Sequence, residues 1–93
     1  MDLTQQGAKV INIDTHKTPI PLSVYVKKTV EHYFDQLNGY DTSGLHAMVI
    51  SEVEKPLIEA ALDYCGQNQT KASKILGLSR STLRKKLDLY GLS

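Results

Sequence analysis

The chain has 93 residues, 41% of them hydrophobic, with 11 basic and 10 acidic side chains and a single cysteine. That length admits one small domain with a marginal core, so burial against a partner chain is expected. One cysteine excludes an internal disulfide framework and suits a reducing compartment. No run approaches the roughly 18 apolar residues of a membrane span and no basic start precedes an apolar run, so a soluble, unexported, cytoplasmic protein without membrane partners is expected.

Residues 1–20 are polar with a few β-branched positions, Val10, Ile11 and Ile13, followed by Asp14-Thr15-His16-Lys17 and Thr18-Pro19-Ile20-Pro21. This composition suits a flexible, disordered arm and a weak β-hairpin equally, and no spacing within it chooses between them. Pro21 ends the extended stretch and Ser23 is placed to cap a helix. Val26, Val30, Tyr33, Phe34 and Leu37 then recur at the steps of one helical face, which predicts a first helix over about residues 22–38, closed by Asn38-Gly39.

A polar turn, Tyr40-Asp41-Thr42-Ser43-Gly44, offers caps for a second helix. Its apolar positions run through Leu45, Met48, Val49, Val53, Leu57, Ala61 and Tyr64, with Ile50 and Ile58 on another face. A helix apolar on more than one side needs more than one neighbour, and a second copy of the chain is the expected supplier. Pro56 removes a backbone donor inside this run and should kink the helix near residues 52–56 without ending it. Cys65, in the company of Ala60, Ala61, Leu62 and Tyr64, reads as a buried structural thiol. Glu52 and Glu54, beside Lys55, read as a solvated helix face.

Gly66-Gln67-Asn68 breaks the second helix, and residues 68–93 have the spacing of a helix-turn-helix. Gln69–Leu76 carries apolar Ala72, Ile75 and Leu76, Gly77 supplies a helix end where positive φ costs little, and Leu78 plugs the corner. Ser79 can cap the last helix, which buries Leu83 and Leu87 with Tyr90 on the same stripe and turns Arg80, Ser81, Arg84 and Lys85 outward. A short, basic, polar-tipped second helix suits the DNA major groove. Charge is distributed accordingly: residues 67–93 hold six basic side chains against Asp88 alone, a net of +5, whereas residues 1–66 carry a net of −4. Such asymmetry is expected when one end meets phosphates. Basic residues near a C-terminus also complement a helix dipole, so Arg84-Lys85-Lys86 taken alone would fit a solvated helix end.

Asn68-Gln69-Thr70, Leu76-Gly77-Leu78 and Ser81-Thr82-Leu83-Arg84-Lys85-Lys86-Leu87 with Tyr90-Gly91 resemble the bacterial Fis family, the factors for inversion stimulation. Upstream, Tyr33-Phe34-Asp35-Gln36-Leu37-Asn38-Gly39 and Glu52-Val53-Glu54-Lys55-Pro56-Leu57 resemble the family's first two helices, so the likeness runs from about Pro21 to the end. It implies an all-α chain of four helices and an intertwined homodimer built from the first two, with a core including Val30, Phe34, Leu45, Val49, Val53 and Leu57. The implied division is an arm at 1–20, dimerisation helices at 21–66 and the helix-turn-helix at 67–93. Paired recognition helices would sit closer than one DNA turn, so that bound double-stranded DNA bends, and a two-fold dimer would read a degenerate pseudo-palindrome with an A/T-rich centre. Carried over by position, Arg80 and Arg84 would contact base edges, Arg80 suiting guanine because its fork pairs with O6 and N7 together. Asn68, Thr70, Lys71, Ser79, Thr82, Lys85 and Lys86 would hold phosphates, the contacts that set register.

The implied role is a nucleoid-associated transcriptional regulator of low sequence specificity, with RNA polymerase as a candidate further partner. Three departures stand out: Ser79 replaces the family's usual Asn, Lys71 replaces Arg, and Asp88-Leu89 replaces a common lysine pair. The last should weaken contact with flanking DNA and reduce the salt slope. Residues associated with activating invertases are not recognisable in the arm. The alternative is the C-terminal DNA-binding domain of a nitrogen-regulator-type enhancer-binding activator, which shares this helix-turn-helix but would need an ATPase upstream; arm plus dimer helices read instead as a complete small protein. No enzyme is expected and no cofactor or metal: His16, His32 and His46 make no metal spacing, no second cysteine exists, and no phosphate loop or nucleophile elbow is present.

Overall fold

A computed structural model describes residues 12–13 and 20–93 of the chain, which divides into two compact units, Met1–Thr42 and Ser43–Ser93. Most of the expected N-terminal arm therefore lies outside the described residues, as does His16.

In the first unit, β1 (Asn12–Ile13) pairs antiparallel with β2 (Ile20–Pro21), Asn12 opposite Pro21 and Ile13 opposite Ile20. The helix α1 (Leu22–Gln36) follows directly. Its N-cap is Pro21, extended at φ −58° and ψ 139°, with no side-chain cap bond, so the expected cap Ser23 lies inside the first turn instead. Proline's fixed φ and missing N–H suit a helix entrance, which moves the start upstream of the nearest serine. Val26, Val30, Tyr33 and Leu37 form a half-buried stripe, while Phe34 is exposed, and no α1 side chain is fully buried. The Phe34 and Tyr33 rings lie tilted at 53°, with centroids 6.2 Å apart, and Tyr33 Oη lies 3.2 Å from Thr42 Oγ1. Asn38 and Gly39 both take positive φ, ending the helix as expected.

The second unit holds α2 (Leu45–Tyr64), α3 (Gln69–Leu76) and α4 (Arg80–Leu89). Left-handed Gly44 caps α2 without a side-chain bond. The helix runs through Pro56 without ending, and Pro56 has no N–H to offer the carbonyl of Glu52, four residues earlier. A core of Ile58, Leu62, Ala72, Leu83 and Leu87 joins the three helices, with Cys65, Leu76, Tyr90 and Leu92 packed around it. The face of α2 that closes this core is therefore the Ile58–Leu62 face, and not the longer stripe through Val53, Leu57 and Tyr64. Ile58 is 1% exposed, against 37% for Val53, 53% for Leu57 and 84% for Tyr64. Cys65 is half-buried at the core margin.

Both joints are built from left-handed residues. At the α2–α3 break, Gly66 and Gln67 both have positive φ, and the Gln67 N–H reaches back to the Leu62 carbonyl at 2.8 Å. At the α3–α4 corner, Gly77 has φ +75°, its N–H bonds the Lys74 carbonyl, and the Leu78 N–H bonds that of Ser73. These are the two reversed bonds of a Schellman ending, and Leu78 turns half-buried into the corner. One expectation for α3 changes. Ile75 is 57% exposed, and the inward place belongs to Ser73, whose hydroxyl satisfies itself on the Thr70 carbonyl at 2.8 Å. Leu92 joins the core as the chain folds back after Gly91, its N–H on the Leu87 carbonyl at 2.7 Å.

Candidate nucleic-acid interface

Every outward group of α4 is positioned by what its opposite face buries. Leu83 and Leu87, four residues apart, are 1% exposed, so the rotation of α4 about its axis is set by packing. Arg80, Ser81, Arg84 and Lys85 consequently lie exposed, with Arg80 one helical turn before Arg84. Asp88 and Leu89, also exposed, continue this surface toward the C-terminus.

The entrance to α4 is ordered by its cap. Ser79 Oγ accepts the Thr82 N–H at 3.1 Å, donates to Thr82 Oγ1 at 2.9 Å, and lies 3.2 Å from Ser81 Oγ. Three hydroxyls and the first turn's N–H groups thus gather beside Arg80, where the positive end of the helix dipole favours an anion. Asn68 does the same for α3: its Oδ1 accepts the Lys71 N–H at 3.1 Å. Ser79 and Asn68, expected at phosphates, are therefore also the structural caps of the two helices. Thr70, Lys71 and Lys85 are exposed and Thr82 is half-buried.

Lys86 stands apart from the other expected phosphate ligands. Its Nζ lies 3.0 Å from each carboxylate oxygen of Glu54 on α2, and Tyr90 Oη donates to Glu54 Oε1 at 2.6 Å. Both side chains of the ion pair are half-buried. The Tyr90 hydroxyl and then the Lys86 ammonium hold the Glu54 carboxyl below its ordinary pKa, while the hydrogen bond to that carboxylate raises the Tyr90 phenol. Glu54 is thus not part of a freely solvated face, as its neighbour Lys55 suggested. A signal was present in the residue order: Glu54 precedes Ile58 and Leu62 at four-residue steps, and a carboxylate heading a buried stripe needs a cation or donor.

The residues expected at a dimer core are not enclosed by this chain. Val30, Leu45 and Val49 are half-buried, and Phe34, Val53 and Leu57 exposed. Among the described residues no group of three or more His, Cys, Asp or Glu side chains is arranged to hold a metal ion, and no helix is long and apolar enough to cross a membrane.

Residues 49–90, from near the start of α2 to the end of α4, match the family described as bacterial regulatory protein, Fis family. The likeness to whole proteins extends further. The chain is 43% identical over 83 residues to proteins named DNA-binding protein Fis from Pectobacterium carotovorum, Yersinia enterocolitica and an Enterobacter species, covering 89% of this chain and 85% of each relative. With 43% identity over 89% of its length and the family match over residues 49–90, the chain belongs to the Fis family of bacterial regulatory proteins.

Proposed function

We propose that the protein is a homodimeric DNA-binding and DNA-bending regulator of low sequence specificity, cytoplasmic and associated with the nucleoid, with a binding and not a catalytic role. The observation that carries this is α4: a capped helix with Leu83 and Leu87 buried on one side and Arg80, Ser81, Arg84 and Lys85 exposed on the other. The relatives' name, DNA-binding protein Fis, points the same way. Arg80 and Arg84 read base edges; Asn68, Thr70, Lys71, Ser79, Thr82 and Lys85 anchor phosphates from the two helix entrances. RNA polymerase is a further partner of the regulatory role.

What supports the dimer is the apolar surface left open on α1 and α2, including Phe34, Met48, Ile50, Val53 and Leu57, in a chain too short to afford it. In this reading α1 and the first half of α2 dimerise, and the second half of α2 carries the helix-turn-helix. Two recognition helices closer than one DNA turn cannot both enter successive major grooves of straight B-DNA, so the duplex bends. Bending a 20–30 bp site by 40–90° costs on the order of 1–6 kcal/mol, which makes a compressible A/T-rich centre favourable without any base contact there.

The test is binding to duplexes that keep their flanking guanines while the A/T centre is exchanged for G/C, with circular-permutation mobility shifts on the same set. Tighter binding to A/T centres and position-dependent mobility are expected. Equal affinity with uniform mobility would reject the bent, indirectly read complex.

A further inference from the structure

Lys86 is the residue at which chemistry by sequence and chemistry by fold diverge. It sits in the run Arg84-Lys85-Lys86, yet at about 100° per residue it lies roughly 200° round the helix from Arg84 and about 100° from Lys85. That places it beside Tyr90, on the flank where α2 supplies Glu54. Both oxygens of that carboxylate are 3.0 Å from Nζ, and the pair joins residues 32 apart in the chain. Tyr90, four residues on, closes the third side at 2.6 Å. A lysine released into solvent would be a flexible point charge able to swing toward a phosphate. One engaged with both oxygens of a half-buried carboxylate must give up that pair first.

We propose that Glu54 is a positioning residue that holds Lys86 on the protein and withholds this cation from DNA, so that Lys86 is not a phosphate ligand. This deepens the DNA-binding reading and rests on it. The phosphate-anchoring cations of the helix-turn-helix are then Lys71 and Lys85, and Glu54 lowers the electrostatic, sequence-independent share of affinity. Each phosphate neutralised by a cation steepens log K against log salt by about 0.9, so one captured lysine is countable.

The experiment measures salt dependence of binding to a duplex of mixed sequence for the full chain and for Glu54→Gln, Lys86→Met, the double variant, and Glu59→Gln. The last removes one exposed charge of the same helix without touching the pair. Lys86→Met alone should leave the slope unchanged, whereas Glu54→Gln should steepen it by about 0.9 per chain. That gain should vanish in the double variant and be missing in Glu59→Gln. A flatter slope in Lys86→Met would overturn the proposal, because Lys86 would already be on phosphate. So would an equal gain in Glu54→Gln and Glu59→Gln, or a gain that survives in the double variant, since either would be general charge repulsion. If the unaltered chain shows no salt-dependent binding, the DNA-binding reading itself fails; if it binds with the expected slope and Glu54→Gln matches it, only the role of Glu54 fails. Lysine acetylation followed by mass spectrometry needs no variant to fold. Lys86 should react more slowly than Lys85 in the free protein, and DNA should protect Lys85 but not further protect Lys86. Equal reactivity of the two in the free protein would also overturn the proposal.

Discussion

At the scale of single residues, the proposed function divides the side chains of α4 into those that read bases and those that hold phosphates. Arg80→Ala should lose about 1–3 kcal/mol per half-site and flatten preference at one base, because a bidentate guanine contact discriminates by that much. Lys85→Ala should weaken all sequences alike. Binding-site selection on both variants checks this, and identical specificity profiles would dissolve the division. The Glu54–Lys86–Tyr90 cluster makes a separate prediction about pH. The folded carboxyl titrates below its ordinary value of 4.5, so its contribution to stability is present above that value and lost as pH falls through the folded pKa. The Tyr90 phenol titrates above its ordinary 10.0, so its contribution is present below that pH and lost as pH rises through the raised value. Thermal unfolding of the full chain and of Glu54→Gln between about pH 3 and 7 should show a shallower acid loss in the variant. Parallel curves would mean that the hydrogen bonds do not persist in solution.

At the scale of the element, each helix of the α3–α4 pair is held by one cap and one buried stripe. Ser79→Ala removes the acceptor for the Thr82 N–H and should cost about 1 kcal/mol of stability, while Ser79→Gly should cost only a few tenths. Gly77→Ala tests the corner. An added Cβ would meet nothing within 4 Å, so the penalty of about 1–2 kcal/mol comes from the positive φ and not from crowding. Denaturant titration resolves both, and a neutral Gly77→Ala would show that the left-handed ending is not maintained. Leu87→Ala should be much worse, about 2–5 kcal/mol, because it opens a cavity beneath the face that presents Arg80 and Arg84.

At the scale of the molecule, the proposed dimer covers the apolar surface left open on α1 and α2. Light scattering at micromolar concentration should report two chains, and Val53→Asp should abolish both the dimer and DNA binding by placing an unpaired charge in the interface, at a cost of several kcal/mol. A stable, well-folded monomer of the unaltered chain would reject the architecture. Val53 is exposed in the single chain, so a loss of folding in a monomer cannot produce the same result through the core of the second unit.

Much was legible in residue order because it is encoded locally. Helix periodicity, the Ser79 cap, the left-handed Gly77 and the boundaries Gln69–Leu76 depend on neighbours within four or five positions, and each lies where local rules put it. The Ser23 cap failed at the same scale, since Pro21 offered a better entrance two residues earlier. The rest needed tertiary structure. α2 carries two apolar faces, and its sequence does not say which one meets α3 and α4; packing decided for Ile58 and Leu62, leaving Val53 and Leu57 open. Leu92 entered the core only because Gly91 turned the chain back, and Lys86 left the basic run only because Glu54, distant in sequence, came within 3.0 Å of it. Residue order by itself determined the helices, their joints and the exposed basic face of α4, since those are properties of short windows. The fold alone decided which apolar face is satisfied and which cation is already spoken for, because both depend on groups that only chain folding brings together.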